Sequence, residues 1–371
     1  MTIRKILATL LALSMTLSLA ACGSNSTQTD TTAPSEQTEQ TEEAPTESDE
    51  SAAENTETET PADETEASEP AEKVDINLAA LSGPTALGML DLLEKNENGE
   101  AANNYNVTIA TAPDEVTGKI ISGELDIAAV PTNVASTLYN KTEGQVQIAA
   151  LNTMGVLYVL ETGDTIQSVA DLAGKTIYAT GQGSTPEYAL NLVLEKNGLT
   201  PGEDDEIVFA ADNAEIAPLL ASGEAQVALL PQPFVTSVLT QNENVRVALD
   251  LTEEWDKAVN GESGLTMGCV VVRKEFAEQN KEALDRFLDE YKQSVETVTS
   301  EEGLAHASEL AEHYNIIKAA VAEKAIPECN IVFVEGDEMQ QIAGGFLQVL
   351  YDANPQAVGG QLPNDDFYYK R

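Results

Sequence analysis

The sequence is short of basic, metal-binding and aromatic side chains. Against 63 Asp and Glu it sets only 19 Lys and Arg, a net charge of −44, and the bases nowhere gather into a stripe. Phosphate backbones are held by such stripes, so no nucleic-acid partner is expected. The two histidines, His306 and His313, would stand about 10.5 Å apart on a helix, too far to share a metal ion. Three cysteines, at 22, 269 and 329, form no CxxC or Cys/His cluster, so neither a metal site nor a disulfide scaffold is indicated. Cys269 lies in the apolar run Met267–Val272, where a packed free thiol and a bridge to Cys329 are both open. A P-loop and a nucleophile elbow are missing too, and the acids are too many to single out a catalytic pair. Neither a cofactor nor an enzymatic reaction is expected.

What is present begins with a leader. Arg4 and Lys5 precede an apolar run from Ile6 to Leu19, followed by Ala20, Ala21, Cys22 and Gly23. That order is a secretory signal over residues 1–22, and the run is too short for a comfortable span of roughly 30 Å of hydrocarbon. Leu19-Ala-Ala-Cys22 resembles the bacterial lipobox, which implies lipidation of Cys22 and a membrane anchor on the outer face of the cytoplasmic membrane. Residues 23–73 change to Thr, Glu, Ser, Ala and Pro, with 16 acids and one base, Lys73. Such a stretch cannot bury enough apolar surface to offset ordering, and it is expected to be a disordered acidic linker.

From residue 74 onward short β-like runs alternate with amphipathic helical runs, which predicts an α/β fold with mainly parallel pairing. Ten strands are expected, at 74–80, 106–110, 126–130, 146–151, 155–160, 175–179, 206–210, 226–230, 245–249 and 267–272. Ser184-Thr-Pro186-Glu187 offers an N-cap, an early proline and a capping-box Glu, Asn197-Gly198 a stop, and Ala189, Leu190, Val193 and Leu194 an apolar stripe between them. Lys274 to about Glu323 reads as helix. Ser122-Gly-Glu-Leu-Asp-Ile-Ala-Ala-Val-Pro131 recurs as Ser222-Gly-Glu-Ala-Gln-Val-Ala-Leu-Leu-Pro231, each copy after a helix, which points to two similar lobes.

Taken in order, Ser82-Gly-Pro-Thr85 after the first strand, the two Ser-Gly-Glu units, Leu172-Ala-Gly-Lys175 through Gly181-Gln-Gly-Ser-Thr-Pro186-Glu, and Val270-Val-Val-Arg273-Lys-Glu-Phe276 resemble the solute-binding lipoproteins of bacterial ABC importers, in the nitrate/sulfonate/taurine-type branch. The resemblance implies a two-lobed type II periplasmic-binding-protein-like fold with a cleft between lobes. Lobe one would hold residues 74–162 and 265–371, and lobe two residues 163–264. It also implies a monomer that captures a small polar organic solute by hinge closure and passes it to an ABC permease and its ATPase subunit. Two alternatives go with it: a ligand-sensing lipoprotein without a transport role, and an enzyme of precursor synthesis on the same fold.

Ligands of open parallel sheets bind beyond the carboxyl ends of the strands. Four loops meet that rule: Ser82, Gly83, Pro84 and Thr85; Thr132 and Asn133; Gly183, Ser184 and Thr185; and Gln232 and Pro233. Thr153 and Met154, next to Asn152, form a fifth candidate. The loops offer hydroxyls, amides and helix-start N–H groups, but no Lys or Arg. An anionic solute would therefore call on Arg246 or Arg273 from a strand, which puts sulfonate and nitrate in doubt. Tyr188, Phe234 and Trp255 could present a ring face to a solute or pack in the core.

Overall fold

The computed structural model describes residues 72–111 and 113–371; the expected signal segment, Cys22 and nearly all of the acidic linker lie outside the described residues. The strands are β1 (Asp75–Leu81), β2 (Asn104–Ala110), β3 (Ile127–Pro131), β4 (Val146–Met154), β5 (Leu157–Thr162), β6 (Thr176–Ala179), β7 (Glu206–Phe209), β8 (Val227–Pro231), β9 (Val245–Asp250), β10 (Thr266–Arg273) and β11 (Ile331–Val334). They form one sheet in the order β11-β4-β10-β3-β1-β2 and a second in the order β7-β6-β8-β5-β9. All ten expected strands are present, and the short β11 is an addition.

Pairing is mixed instead of mainly parallel. β1 runs parallel to β2 and β3, and β6 to β7 and β8, whereas β5 and β10 run against both of their neighbours. The reason is the length of the connections. A parallel neighbour needs a crossover of a dozen or more residues. The chain leaves β4 at Met154 and enters the second sheet at Leu157, so it must run back along the strands it joins. This also moves the expected lobe boundary: β5 belongs to the second sheet, so the first crossing falls at Gly155–Val156 and not after residue 162. A side chain at Gly155 would overlap that of Thr252, which is how the crossing passes so close to helix Leu251–Ala258.

The repeated segment has the same local structure in both copies. Helices Pro113–Ser122 and Asn213–Ser222 end at Gly123 and Gly223, with φ of 80° and 81°, a left-handed turn that glycine adopts without a Cβ penalty. β3 and β8 follow, four of five residues buried in each, and both stop at proline. Each sits between an inner parallel strand and a crossing strand, so the two sheets share a layout as well as a motif.

Helix Thr185–Lys196 buries Ala189, Leu190, Val193 and Leu194 as its stripe predicts. Helix Lys281–Thr299 buries Leu284, Phe287, Leu288, Tyr291 and Val295 against the first sheet, and each such burial is worth about 1.5–3 kcal/mol as an upper figure. Helix Gly336–Ala353, beyond the expected helical tail, covers the other face and brings Phe346 to 5.6 Å from the ring of Trp255. Trp255 is fully buried and its indole N–H donates to the Ser263 carbonyl at 2.9 Å, so it is a packing residue and presents no open ring face. Cys269 and Cys329 are both buried and unpaired, so no bridge joins them, and burial pushes the Cys269 thiol up to about 12.

Two arginines staple the strand ends farthest from the crossings. Arg273 donates to Asp126 at 2.9 Å and to the Leu125 carbonyl at 3.0 Å, and Arg246 donates to Glu161 at 2.9 Å and to the Gly163 carbonyl at 3.0 Å. Burial pushes the Glu161 carboxyl up, but bonds from the Thr165 hydroxyl and the Ile166 and Thr165 N–H groups, with Arg246, more than offset that and hold it below the usual range. A depressed carboxylate stabilises the fold above its unfolded pKa, and that contribution is lost as pH falls through the folded value. Glu161→Gln is expected to cost about 1–3 kcal/mol at neutral pH. In urea melts the gap from the parent protein should close as pH falls through and below the usual carboxylate range; a gap that persists there would show that the carboxylate's charge is not what matters.

Candidate functional site

The parallel strands of both sheets end on the same side of the molecule as the two crossings. β4 and β9 run towards that side and the chain crosses there, so the loops after β1, β3, β6 and β8 converge where the halves meet. This is where the expected site residues lie, and they divide into an accessible group and a buried group.

The accessible group comes from two helix starts. Ser82 is exposed and its N–H is spent on the Ala110 carbonyl at 2.8 Å. Gly83 is buried, Pro84 and Thr85 are half-buried, and the Thr85 hydroxyl turns back to the Leu81 carbonyl at 2.6 Å. Helix Pro84–Leu87 has no side-chain cap, so neither hydroxyl of this loop serves its own helix start. Gly183 is exposed and Ser184 half-buried. Ser184 occupies the cap position expected of it, but its hydroxyl donates to the Gly181 carbonyl at 2.8 Å instead of accepting from the helix. Glu187 accepts from the Gly183 N–H at 2.5 Å, one residue before the bond a capping box would make. Tyr188 and Phe234 are half-buried, and Met154 rests half-buried against Gly264 of the second crossing.

The buried group bonds mostly within each half, and one of its bonds joins the two. Thr132 shares a hydrogen bond of 3.0 Å with Thr266 at the start of β10. Asn133, 1% exposed, donates from its amide to the Ala357 carbonyl at 3.1 Å and accepts at Oδ1 from the Thr185 hydroxyl at 3.0 Å. Thr185 is 0% exposed. Gln232, buried beside Pro233, accepts from the Thr236 N–H and hydroxyl at 3.2 and 2.9 Å. Thr153 donates to Asn152 Oδ1 at 3.2 Å, and the Asn152 amide nitrogen, fully buried, has no partner. Sequence reasoning missed Thr266, Ala357 and Asn330, whose amide donates to the Gly155 carbonyl at 3.1 Å and braces the first crossing. Only their distance in sequence hid them; nothing in their local pattern signals the contact.

Charge in this region is negative where it exists. The turns after β1, β3, β6 and β8 and the helix starts they lead into carry Glu187 and no Lys or Arg, and Asp114, Glu115, Asp212 and Asp250 stand at the neighbouring strand ends. Burial, then the nearby Asp250 and Glu328 carboxylates, pushes the Tyr158 hydroxyl up to about 12. Arg246 and Arg273, the two cations that might have reached in, are anchored at the opposite strand ends. His306 and His313 are exposed partners of Glu94 and Glu97, far along the chain from these loops, and no cluster able to hold a metal ion occurs among the described residues.

Comparison with known proteins agrees with this geometry. Residues 91–324 match the family described as ABC transporter, phosphonate, periplasmic substrate-binding protein. Among solved structures, an ABC transporter protein from Parabacteroides distasonis is 25% identical over 80% of this chain and 99% of its own, with a TM-score of 0.66. The periplasmic aliphatic sulphonate binding protein of Escherichia coli shares 14% identity over 80% of this chain and 92% of its own, with a TM-score of 0.63. The alkanesulfonate-binding protein of Xanthomonas axonopodis pv. citri, solved bound to MOPS, shares 16% over 79% and 96%, with a TM-score of 0.60. A search of curated proteins returns no significant match. Two sheets joined by two crossings, converging loops and a family match over most of both halves lead to one conclusion: the chain belongs to the periplasmic substrate-binding proteins of ABC transporters, a family that binds and delivers solutes and is not enzymatic.

Proposed function

We propose that this protein captures a small polar organic solute where the loops after β1, β3, β6 and β8 meet, and that the halves close on it about the crossings at Gly155–Val156 and Val259–Leu265. The convergence of two helix starts, Ser82–Thr85 and Gly183–Thr185, from opposite halves carries the reading. The Ser82 hydroxyl and the accepting lone pairs of the Ser184 oxygen suit a polar group on the solute, and Met154, Tyr188 and Phe234 supply half-buried apolar surface beside them. Closure follows if the solute bridges both halves, because its contacts then favour the closed arrangement.

The solute is neutral or cationic and not a fully ionised sulfonate, phosphonate or nitrate. A buried oxyanion needs a cation or a full set of donors. Here the turns after β1, β3, β6 and β8 and the helix starts they lead into carry one carboxylate, Glu187, and no base. The sulphonate-binding relatives therefore share the fold without fixing this chain's ligand. Delivery goes to an ABC permease with its ATPase subunit, and the protein acts as a monomer tethered through lipidated Cys22, with residues 23–73 as an acidic spacer.

Thermal unfolding against a panel of small sulfonates, phosphonates, nitrate, neutral amides, amino-acid derivatives, pyrimidines and amines tests the solute. A neutral or cationic compound at 100 times its dissociation constant should add about 2.7 kcal/mol of stability, while the oxyanions leave the melt unchanged. Stabilisation by an oxyanion alone would refute the charge argument. For the anchor, Cys22→Ala is expected to move the protein from the membrane fraction to the soluble fraction of a lipoprotein-processing host, and unchanged fractionation would refute lipidation.

A further inference from the structure

The geometry points to Asn133 and Thr185 as a latch between the halves, positioning residues that register the closed arrangement and do not contact the solute. The inference rests on the hinge-closing reading above. Three observations carry it.

First, every ion pair among the described residues stays within one half: Arg246 with Glu161 in the second, Arg273 with Asp126 in the first, and likewise the rest. Second, the halves share an apolar core. One continuous hydrophobic cluster takes Val130, Leu151 and Phe346 from the first half and Leu157, Leu190 and Trp255 from the second. Third, among the described residues the Thr185 hydroxyl to Asn133 Oδ1 bond, 3.0 Å long, is the side-chain hydrogen bond that joins the halves away from the crossings. Both partners are at most 1% exposed, and Asn133 is held from the other side by the Ala357 carbonyl.

Apolar contact has no direction, so by itself it lets two surfaces meet in several registers. One buried hydrogen bond does not. Out of register, Asn133 Oδ1 and the Thr185 hydroxyl would be enclosed without partners; with the halves apart, both are free to bind water. The bond therefore acts on the closed arrangement alone, which is what a differential contact must do to shift an equilibrium. Thr185→Val keeps the shape and removes the donor, so it leaves the Asn133 oxygen unsatisfied only when the halves are shut. The closed-to-open ratio should fall roughly five- to a hundredfold, whereas Thr185→Ser, which retains the hydroxyl, should preserve it.

The experiment needs no solute, so its failure is separable from failure of the solute assignment. Spin labels on Glu203→Cys and Glu301→Cys, exposed positions in the second and first halves, are placed in the full chain with Cys22→Ser; Cys269 and Cys329 are buried from the reagent. Pulsed dipolar spectroscopy then reads the distance between halves. The expected result is a population at the closed distance in the parent, its depletion in Thr185→Val in favour of longer distances, and its return in Thr185→Ser. A residue that only stabilised its own half would lower the melting temperature without moving this distribution. An unchanged distribution in Thr185→Val, or a parent with no closed population, overturns the latch.

Discussion

Each sheet is completed by a strand that runs against its neighbours, β5 beside β8 and β10 beside β3, and each of those strands starts at a crossing between the halves. From this one constraint the rest follows. Because the crossings are short, they must leave and enter at the same edge of both sheets, which turns the carboxyl ends of β1, β3, β6 and β8 towards one another. The loops proposed to hold a solute then face each other across the proposed hinge. The proposed binding region and the proposed hinge are two results of the same topology.

Electrostatics is arranged around that constraint. The arginines that lie on crossing or edge strands are anchored at the far strand ends, where Asp126 and Glu161 hold them, and the loops near the crossings carry only acids. The halves share an apolar cluster with one embedded hydrogen bond, so the proposed closure would cost little desolvation of charge there. Buried ion pairs at that surface would have had to be broken and solvated on each opening.

Much of this was legible in the sequence. The alternation of apolar runs gave the ten strands, and the recurrence of Ser-Gly-Glu before an apolar run ending in proline gave the two-half layout, since both depend on neighbours in sequence. Direction and pairing were not legible: nothing in Leu157–Thr162 says that it joins the sheet that follows it, because a four- to six-residue apolar run reads alike in either direction. The site was found as loops and not as roles. Ser184, Thr185 and Asn133 all read as polar groups free for a solute, but Ser184 turns to Gly181 while Thr185 and Asn133 take each other, a pairing across 52 residues that no local pattern announces.

Amide hydrogen exchange, with and without a compound that stabilises the protein, tests the central claim most directly. Binding between the halves predicts slowed exchange together in residues 82–88, 132–136, 183–189 and 232–237, the loops and helix starts that converge from both sheets. Protection confined to one half, or centred on the hollow lined by Glu195, Lys196 and Asp352 outside those loops, would contradict it.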